Sequence, residues 1–178
     1  SAGIYTVTIT DAKGCMLVEQ VEITTIPDVT APVPVITNLP TITNFCTVLA
    51  NEIAIPTAID NCNGEIIGTT TSDLNFTTAG SHIIVWNYND GNGNVSTQNQ
   101  EIIVLESPLN QVMFNDADFV YNSNLHFIEV TNLPAGAYAT YAINPNTEFA
   151  NGAINAGIYN VTATVYPNTD ASNCLPLT

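Results

Sequence analysis

Oxygen donors gather in this sequence at three places where the chain must turn. Asp28 sits in the proline-bearing stretch Pro27-Asp28-Val29-Thr30-Ala31-Pro32. Asp60 and Asn61 lie in Asp60-Asn61-Cys62-Asn63-Gly64, and Asp90 opens Asp90-Gly91-Asn92-Gly93-Asn94. Carboxylate and amide oxygens are the donors that hard cations take, at about 2.3–2.6 Å for calcium. Asp28, Asp60, Asn61 and Asp90 are therefore candidate calcium ligands, with the linker carboxylate bridged to turns of the adjoining module. The competing reading is that Asp and Asn make turns by bonding their own backbone. Asp90, Asn92 and Asn94 with Glu101 at position 12 have the spacing of an EF-hand loop. Val95 stands where that loop needs glycine, however, and the flanks read as strands, so an EF-hand is not expected.

The four cysteines are Cys15, Cys46, Cys62 and Cys174. Cys46 and Cys62 are close in sequence, and closing a loop of that size stabilises by about 3 kcal/mol on chain-entropy grounds. The spacing predicts a Cys46–Cys62 disulfide, against the alternative of two buried reduced thiols. Cys15 and Cys174 are expected to pair outside the segment or not at all. No C-x2-C or paired-histidine spacing points to zinc. For catalysis the sequence offers His82 and His126, without a nucleophile elbow, Cys–His pair or phosphate loop beside them. Asp116 and Asp118 are neighbouring carboxylates. Glycoside hydrolysis would need a cleft around both and aromatic sugar platforms, so a solvated turn before Phe119 is the expectation. Tyr121, Tyr138, Tyr141 and Tyr159 could stack on sugars, although tyrosine alternation in a sheet more often packs a core. No enzymatic activity is expected.

The elements that must position these groups are strands. Thr, Ile and Val together make up about a third of the 178 residues, a β-branched excess that favours sheet over helix. With 46% apolar residues the chain can build cores. Sixteen acids against one cation, Lys13, give a net charge of −15. That excludes nucleic acid as a partner, since phosphate binding needs several Lys or Arg contacts, and it disfavours an anionic membrane surface. No stretch approaches the roughly 18 apolar residues of a membrane span, so direct insertion is not expected. The chain starts in the middle of a strand pattern without a signal peptide and stops as abruptly, which predicts a segment of a longer polypeptide.

The pattern repeats. Ala2-Gly3-Ile4-Tyr5-Thr6-Val7-Thr8 returns as Ala156-Gly157-Ile158-Tyr159-Asn160-Val161-Thr162, and a looser copy, Ala79-Gly80-Ser81-His82-Ile83-Ile84-Val85, stands midway, 77 residues from each. Equal spacing of a strand-opening motif implies tandem modules, with glycine supplying a positive φ before the strand. Three pieces follow: residues 1–27, the last hairpin of a module; 28–106, a complete module; and 107–178, most of a third. Proline at residues 27, 32 and 108 marks the joints. In the middle module strands are expected near 33–37, 42–49, 64–71, 81–89 and 94–105, the spacing of a β-sandwich. Trp86 is expected in its core. In the third, a strand over 157–166 is expected. The fold class predicted is all-β, tandem immunoglobulin-like β-sandwich modules in an elongated array.

These motifs resemble known modules. Ala2 through Cys15 resembles the tail of the SprB repeat. Asp28-Val29-Thr30-Ala31-Pro32, Pro56-Thr57-Ala58-Ile59-Asp60-Asn61-Cys62 and Trp86 through Asn94 resemble an HYR-like Ig module. Leu133-Pro134-Ala135-Gly136 with Asn155 through Ala163 is similar to the MBG class of bacterial Ig-like domain. The resemblance implies the giant repetitive cell-surface adhesins of Bacteroidota, among them gliding-motility adhesins exported by type IX secretion. It implies a stalk segment, extracellular and anchored at the outer membrane, whose partners are neighbouring modules of the same chain and possible surface glycans. The first repeat departs from the family in lacking its front half and the usual partner of Cys15. The rival expectations are a carbohydrate-binding ancillary module and a strand-donating filament subunit.

Overall fold

The structure, a computed structural model, describes residues 2–178; Ser1, the first residue of the expected 1–27 piece, lies outside them. The described residues are all-β, broken only by three single-turn 3-10 helices at Ala50–Glu52, Pro108–Gln111 and Thr169–Ala171. No described helix is long and apolar enough to cross a membrane.

Strands β1 (Gly3–Thr10) and β2 (Met16–Ile23) form an antiparallel hairpin, in register from Gly3 opposite Ile23 to Thr10 opposite Met16. Asp11 ties its turn by accepting the N–H groups of Lys13 and Cys15 at 2.8 and 2.9 Å. Alternation puts Tyr5, Val7, Ile9, Leu17, Val21 and Ile23 on one face. All six are exposed, and so is every other residue of both strands.

Residues 28–106 hold two sheets on one core. The first is β3 (Val33–Pro34), β5 (Thr57–Asp60) and β6 (Gly64–Ile67), all antiparallel. The second is β4 (Ile42–Phe45), β8 (Val95–Leu105) and β7 (Gly80–Asn89). Here β7 and β8 are an antiparallel hairpin, while β4 runs parallel to β8 from Ile42 opposite Ile102 to Phe45 opposite Leu105. Ala58 from the first sheet, Ile84, Trp86, Tyr88, Ile102 and Val104 from the second, and Val48 and Ile53 from their connections form one buried cluster. This is a small β-sandwich, and Trp86, 1% exposed, is at its centre as the sequence predicts. Its polar tips are satisfied across the hairpin: Trp86 Nε1 donates to Gln100 Oε1 at 3.0 Å and the Tyr88 hydroxyl to Gln98 Oε1 at 2.9 Å. Both glutamines pass the connection on, donating to the carbonyls of Ile36, Thr37 and Pro40. Buried donors thus all find acceptors, which is what burial of a Trp or Tyr requires.

The strands expected near 81–89 and 94–105 are present at Gly80–Asn89 and Val95–Leu105, whereas those expected near 33–37, 42–49 and 64–71 are shorter, the first being only Val33–Pro34. The 42–49 and 64–71 strands end at Phe45 and Ile67, and continue only as single bridges, Val48 with Phe76 and Thr69 with Asn87. Strand β5 was not expected: Thr57-Ala58-Ile59-Asp60 carries only one full alternation before its turn.

In residues 107–178, β10 (Tyr138–Asn144) pairs antiparallel with β12 (Asn160–Tyr166), and β9 (His126–Phe127) with β11 (Gly152–Ala153). Gly152 is required by closeness: a Cβ there would lie 2.5 Å from the His126 carbonyl oxygen. The buried apolar residues are Leu109, Ile143, Ala163, Val165, Ala171 and Cys174. Of the three Ala-Gly steps, two do the same job. Gly3 and Gly80 open β1 and β7 with φ of +154° and +138°. Gly157 precedes β12 by three residues, and β12 leads no following hairpin.

The disulfide is a correction to the sequence reading. Cys46 is bonded to Cys174, with their Cα atoms 5.2 Å apart, while Cys62 and Cys15 are free and exposed. Cys46 donates its N–H to Leu105 at the far end of β8. Cys62 sits on the β5–β6 turn, whose Asn63 side chain donates to the Asp90 carbonyl at the near end of the same hairpin. The 11 residues of β8 separate the two ends, about 35 Å of strand, and a disulfide tolerates only about 7 Å between Cα atoms. Proximity in sequence was overruled by the direction of one strand. The bridge joins residues 28–106 to 107–178, beside hydrogen bonds from Asn173 Nδ2 to the Thr47 carbonyl and Glu52 Oε1, both 3.2 Å.

Candidate cation site

The stretch 28–32 lies along the end of the sandwich at which β5–β6 and β7–β8 turn. Asp28 begins it as an Asx turn: its Oδ1 accepts the Thr30 N–H at 3.1 Å and the Thr30 hydroxyl at 2.8 Å. Asn92 Nδ2 donates to Asp28 Oδ2 at 3.3 Å, and Asn94 Nδ2 to the Asp28 carbonyl at 3.2 Å. Pro32, fully buried, ends the stretch, its carbonyl accepting from the Ser96 hydroxyl at 2.5 Å.

Asp60 stands on the β5–β6 turn and is 4% exposed. Its Oδ1 accepts the N–H groups of Cys62 and Asn63 at 2.9 and 2.8 Å. Its Oδ2 is buried and accepts no hydrogen bond. One carboxylate oxygen each from Asp28 and Asp60, together with Cys62 Sγ, lie within 4.8 Å of one another. Asn61 completes the group: its Oδ1 meets the Thr30 hydroxyl, and its Nδ2 donates to Cys62 Sγ at 3.4 Å.

Asp90 is placed differently. Its carboxylate makes the β7–β8 turn, Oδ1 accepting the N–H groups of Asn92 and Asn94 at 2.7 and 3.0 Å and Oδ2 the Asn94 side chain at 2.6 Å. It is buried, and is not part of the Asp28–Asp60 group. Of the four candidate ligands, then, the structure brings Asp28, Asp60 and Asn61 together, and joins Asp90 to them through Asn94.

The charges follow these contacts. The Thr30 N–H and then its hydroxyl hold the Asp28 carboxyl below the usual carboxylate range. Burial alone would raise Asp90, but the Asn94 side chain and the N–H groups of Asn92 and Asn94 outweigh it, and its carboxyl also lies low. Loss of hydration, then the negative charges of Asp28 and Asp60, push the Cys62 thiol above its ordinary value. Cys62 is therefore a neutral thiol beside two carboxylates. Its place there, and those of Thr30, Asn92 and Asn94 around Asp28, add to the residues that the sequence singles out as ligands. The Asp-x-Thr and Asp-x-Asn spacings are the signal that finds them, since a side chain two residues on is where an Asx turn sends its partner.

The other chemical candidates separate. His82 Nε2 bonds the Thr78 carbonyl at 2.8 Å, and His126 Nε2 bonds Asn122 Oδ1 at 2.9 Å. Asp116 and Asp118 line an open cavity of about 550 Å3 with Phe119, Tyr121, His126 and Tyr159. The rings of Phe119 and His126 stack at 4.7 Å. Tyr138 stacks on Tyr166 at 4.9 Å across β10 and β12, and the Tyr141 hydroxyl accepts the Val130 N–H at 3.0 Å. Tyr138 is thus engaged across the sheet and Tyr141 with the loop at Val130, whereas Tyr121 and Tyr159 line the cavity. No protein-family profile matches the chain, and comparison with curated proteins finds no significant match.

Proposed function

We propose that this chain is a structural spacer, a stalk segment of a repetitive bacterial surface adhesin of the Bacteroidota type, holding a distal binding site away from the cell and catalysing nothing. The observation that carries this reading is the pair of hairpins β1–β2 and β7–β8, each opened by an Ala-Gly step and set 77 residues apart in the sequence. Serial β modules bear on their neighbours alone, so their joints set the stiffness of the whole. The Cys46–Cys174 bond fits an oxidising, extracellular setting. A net charge of −15 with one cation would keep neighbouring stalks apart.

The test is reach. An antibody raised against residues 28–178 should label intact cells that make the protein, and duplicating residues 28–106 should lengthen the surface projection. Labelling only after lysis, or unchanged reach, defeats the reading. A second reading is favoured by the cavity around Asp116, Asp118, Tyr121 and Tyr159: carbohydrate binding by residues 107–178. Saccharide capture by the full chain on a glycan array, abolished by Tyr121→Ala, would support it.

A further inference from the structure

A buried carboxylate needs a counter-charge or a full set of donors, because stripping water from it otherwise costs several kcal/mol. Asp60 has neither on its Oδ2. Among the described residues no Lys or Arg serves: Lys13, the one present in the sequence, sits on the β1–β2 turn. Near Asp60 stands instead a second carboxylate, Asp28, with an oxygen within 4.8 Å of one of its own. Two like charges at that distance, one of them buried, are mutually destabilising unless a positive charge stands between them. Donor atoms around one calcium ion, each about 2.3–2.6 Å from it, are at most about 5 Å apart. The Asp28–Asp60 group has that size. Further oxygen is at hand in Asn61 Oδ1, which the Thr30 hydroxyl brings to the Asp28 side of the group.

We propose that Asp28, Asp60 and Asn61 bind a calcium ion that fastens residues 28–32 to the β5–β6 turn, and so fixes the direction in which the chain leaves the sandwich toward the β1–β2 hairpin. The ion rests on this geometry alone; only its value in stiffening a stalk depends on the function proposed above. Calcium is preferred to magnesium because the donors stand on turns and include a neutral amide, which suits a flexible oxygen shell better than a strict octahedron. Asp90 serves by shaping the β7–β8 turn whose Asn92 and Asn94 hold Asp28 in place.

The experiment uses the full chain, stripped with chelator and titrated calorimetrically with calcium chloride. One saturable site is expected, with a Kd of about 10⁻⁴–10⁻³ M, the range of extracellular modules. Calcium should slow hydrogen exchange at Thr30 and Ala31. Asp60→Asn and Asp28→Asn should each weaken binding at least tenfold. Asp28 lies on the linker, so that variant should keep a native circular dichroism spectrum even if Asp60→Asn does not fold. Cys62→Ser should bind calcium as the parent does. No binding at 10 mM calcium, full binding by Asp28→Asn, loss of binding in Cys62→Ser, or binding that leaves Thr30 exchange unchanged would each overturn the proposal.

Discussion

The two hairpins β1–β2 and β7–β8 begin alike and end differently. Each follows an Ala-Gly step whose glycine lies in the positive-φ region, and each sends successive side chains to opposite faces along its strands. In β7–β8 one face is covered: Ile84, Trp86 and Tyr88 are sealed beneath β5 and its neighbours. In β1–β2 the corresponding face, from Tyr5 and Val7 to Val21 and Ile23, is between 43% and 51% exposed at those four residues. Alternation specifies which face of a strand pair is apolar; it does not supply the layer that covers it. Local pairing and a glycine turn suffice to shape a hairpin, whereas a lone two-stranded hairpin is marginally stable at best in water. The stability of this chain is therefore concentrated in residues 28–106, where burying each large side chain is worth about 1.5–3 kcal/mol.

That contrast can be tested by matched substitutions. The largest effect should come from Trp86→Ala, about 3–5 kcal/mol lost from urea unfolding followed by circular dichroism. Ile9→Ala, at the matching position of the bare hairpin, 77 residues earlier, should cost under about 0.5 kcal/mol; equal costs would show that β1–β2 has a cover after all. Cys174→Ala should destabilise the Trp86-bearing sandwich by about 2–4 kcal/mol while leaving hydrogen exchange in β1–β2 unchanged. The sole tryptophan makes its fluorescence a direct readout. Gln100→Ala leaves the Trp86 ring N–H buried without an acceptor and should cost about 1–3 kcal/mol, against almost nothing for Gln20→Ala on exposed β2.

Acid should have the mildest effect, and it reaches both hairpins. The carboxyls of Asp28 and Asp90 lie below their usual range, and so does that of Asp11, held by the N–H groups of Cys15 and Lys13. A depressed folded-state pKa contributes stability that is present above the unfolded value, about 3.9, and is lost as pH falls through the folded one. Unfolding midpoints should therefore hold steady above about pH 5 and decline only below about pH 4, more gently in Asp90→Asn, which has lost that contribution at every pH. A midpoint rising on acidification would contradict the turn geometry.

Much of this was legible in the sequence because it is local. The hairpin around Asn89 to Asn94, the buried Trp86 and the Asx turns at Asp28, Asp60 and Asp90 all follow from alternation and turn residues whose partners lie a few positions away. What stayed hidden depends on where distant strands land. Nothing in Ile42-Thr43-Asn44-Phe45 says that it runs parallel to Ile102–Leu105, yet that pairing carries Cys46 to the end of the sandwich opposite Cys62. Cys174 then reaches Cys46 across a sequence separation of 128 residues. Asp90 is an intermediate case: its turn was readable, but its carboxylate is spent on Asn92 and Asn94 before it can face Asp28.

The sulfur bridge also decides how the molecule answers tension. A pull entering before Cys46 and leaving after Cys174 is carried by one covalent link instead of by the β-sheets between them. The enclosed chain, about 430 Å if drawn out straight at roughly 3.4 Å per residue, is withheld from extension until the bridge is reduced. In the oxidised protein the bare hairpin and its linker are then the compliant element, and a reductant would turn a short tether into a long one.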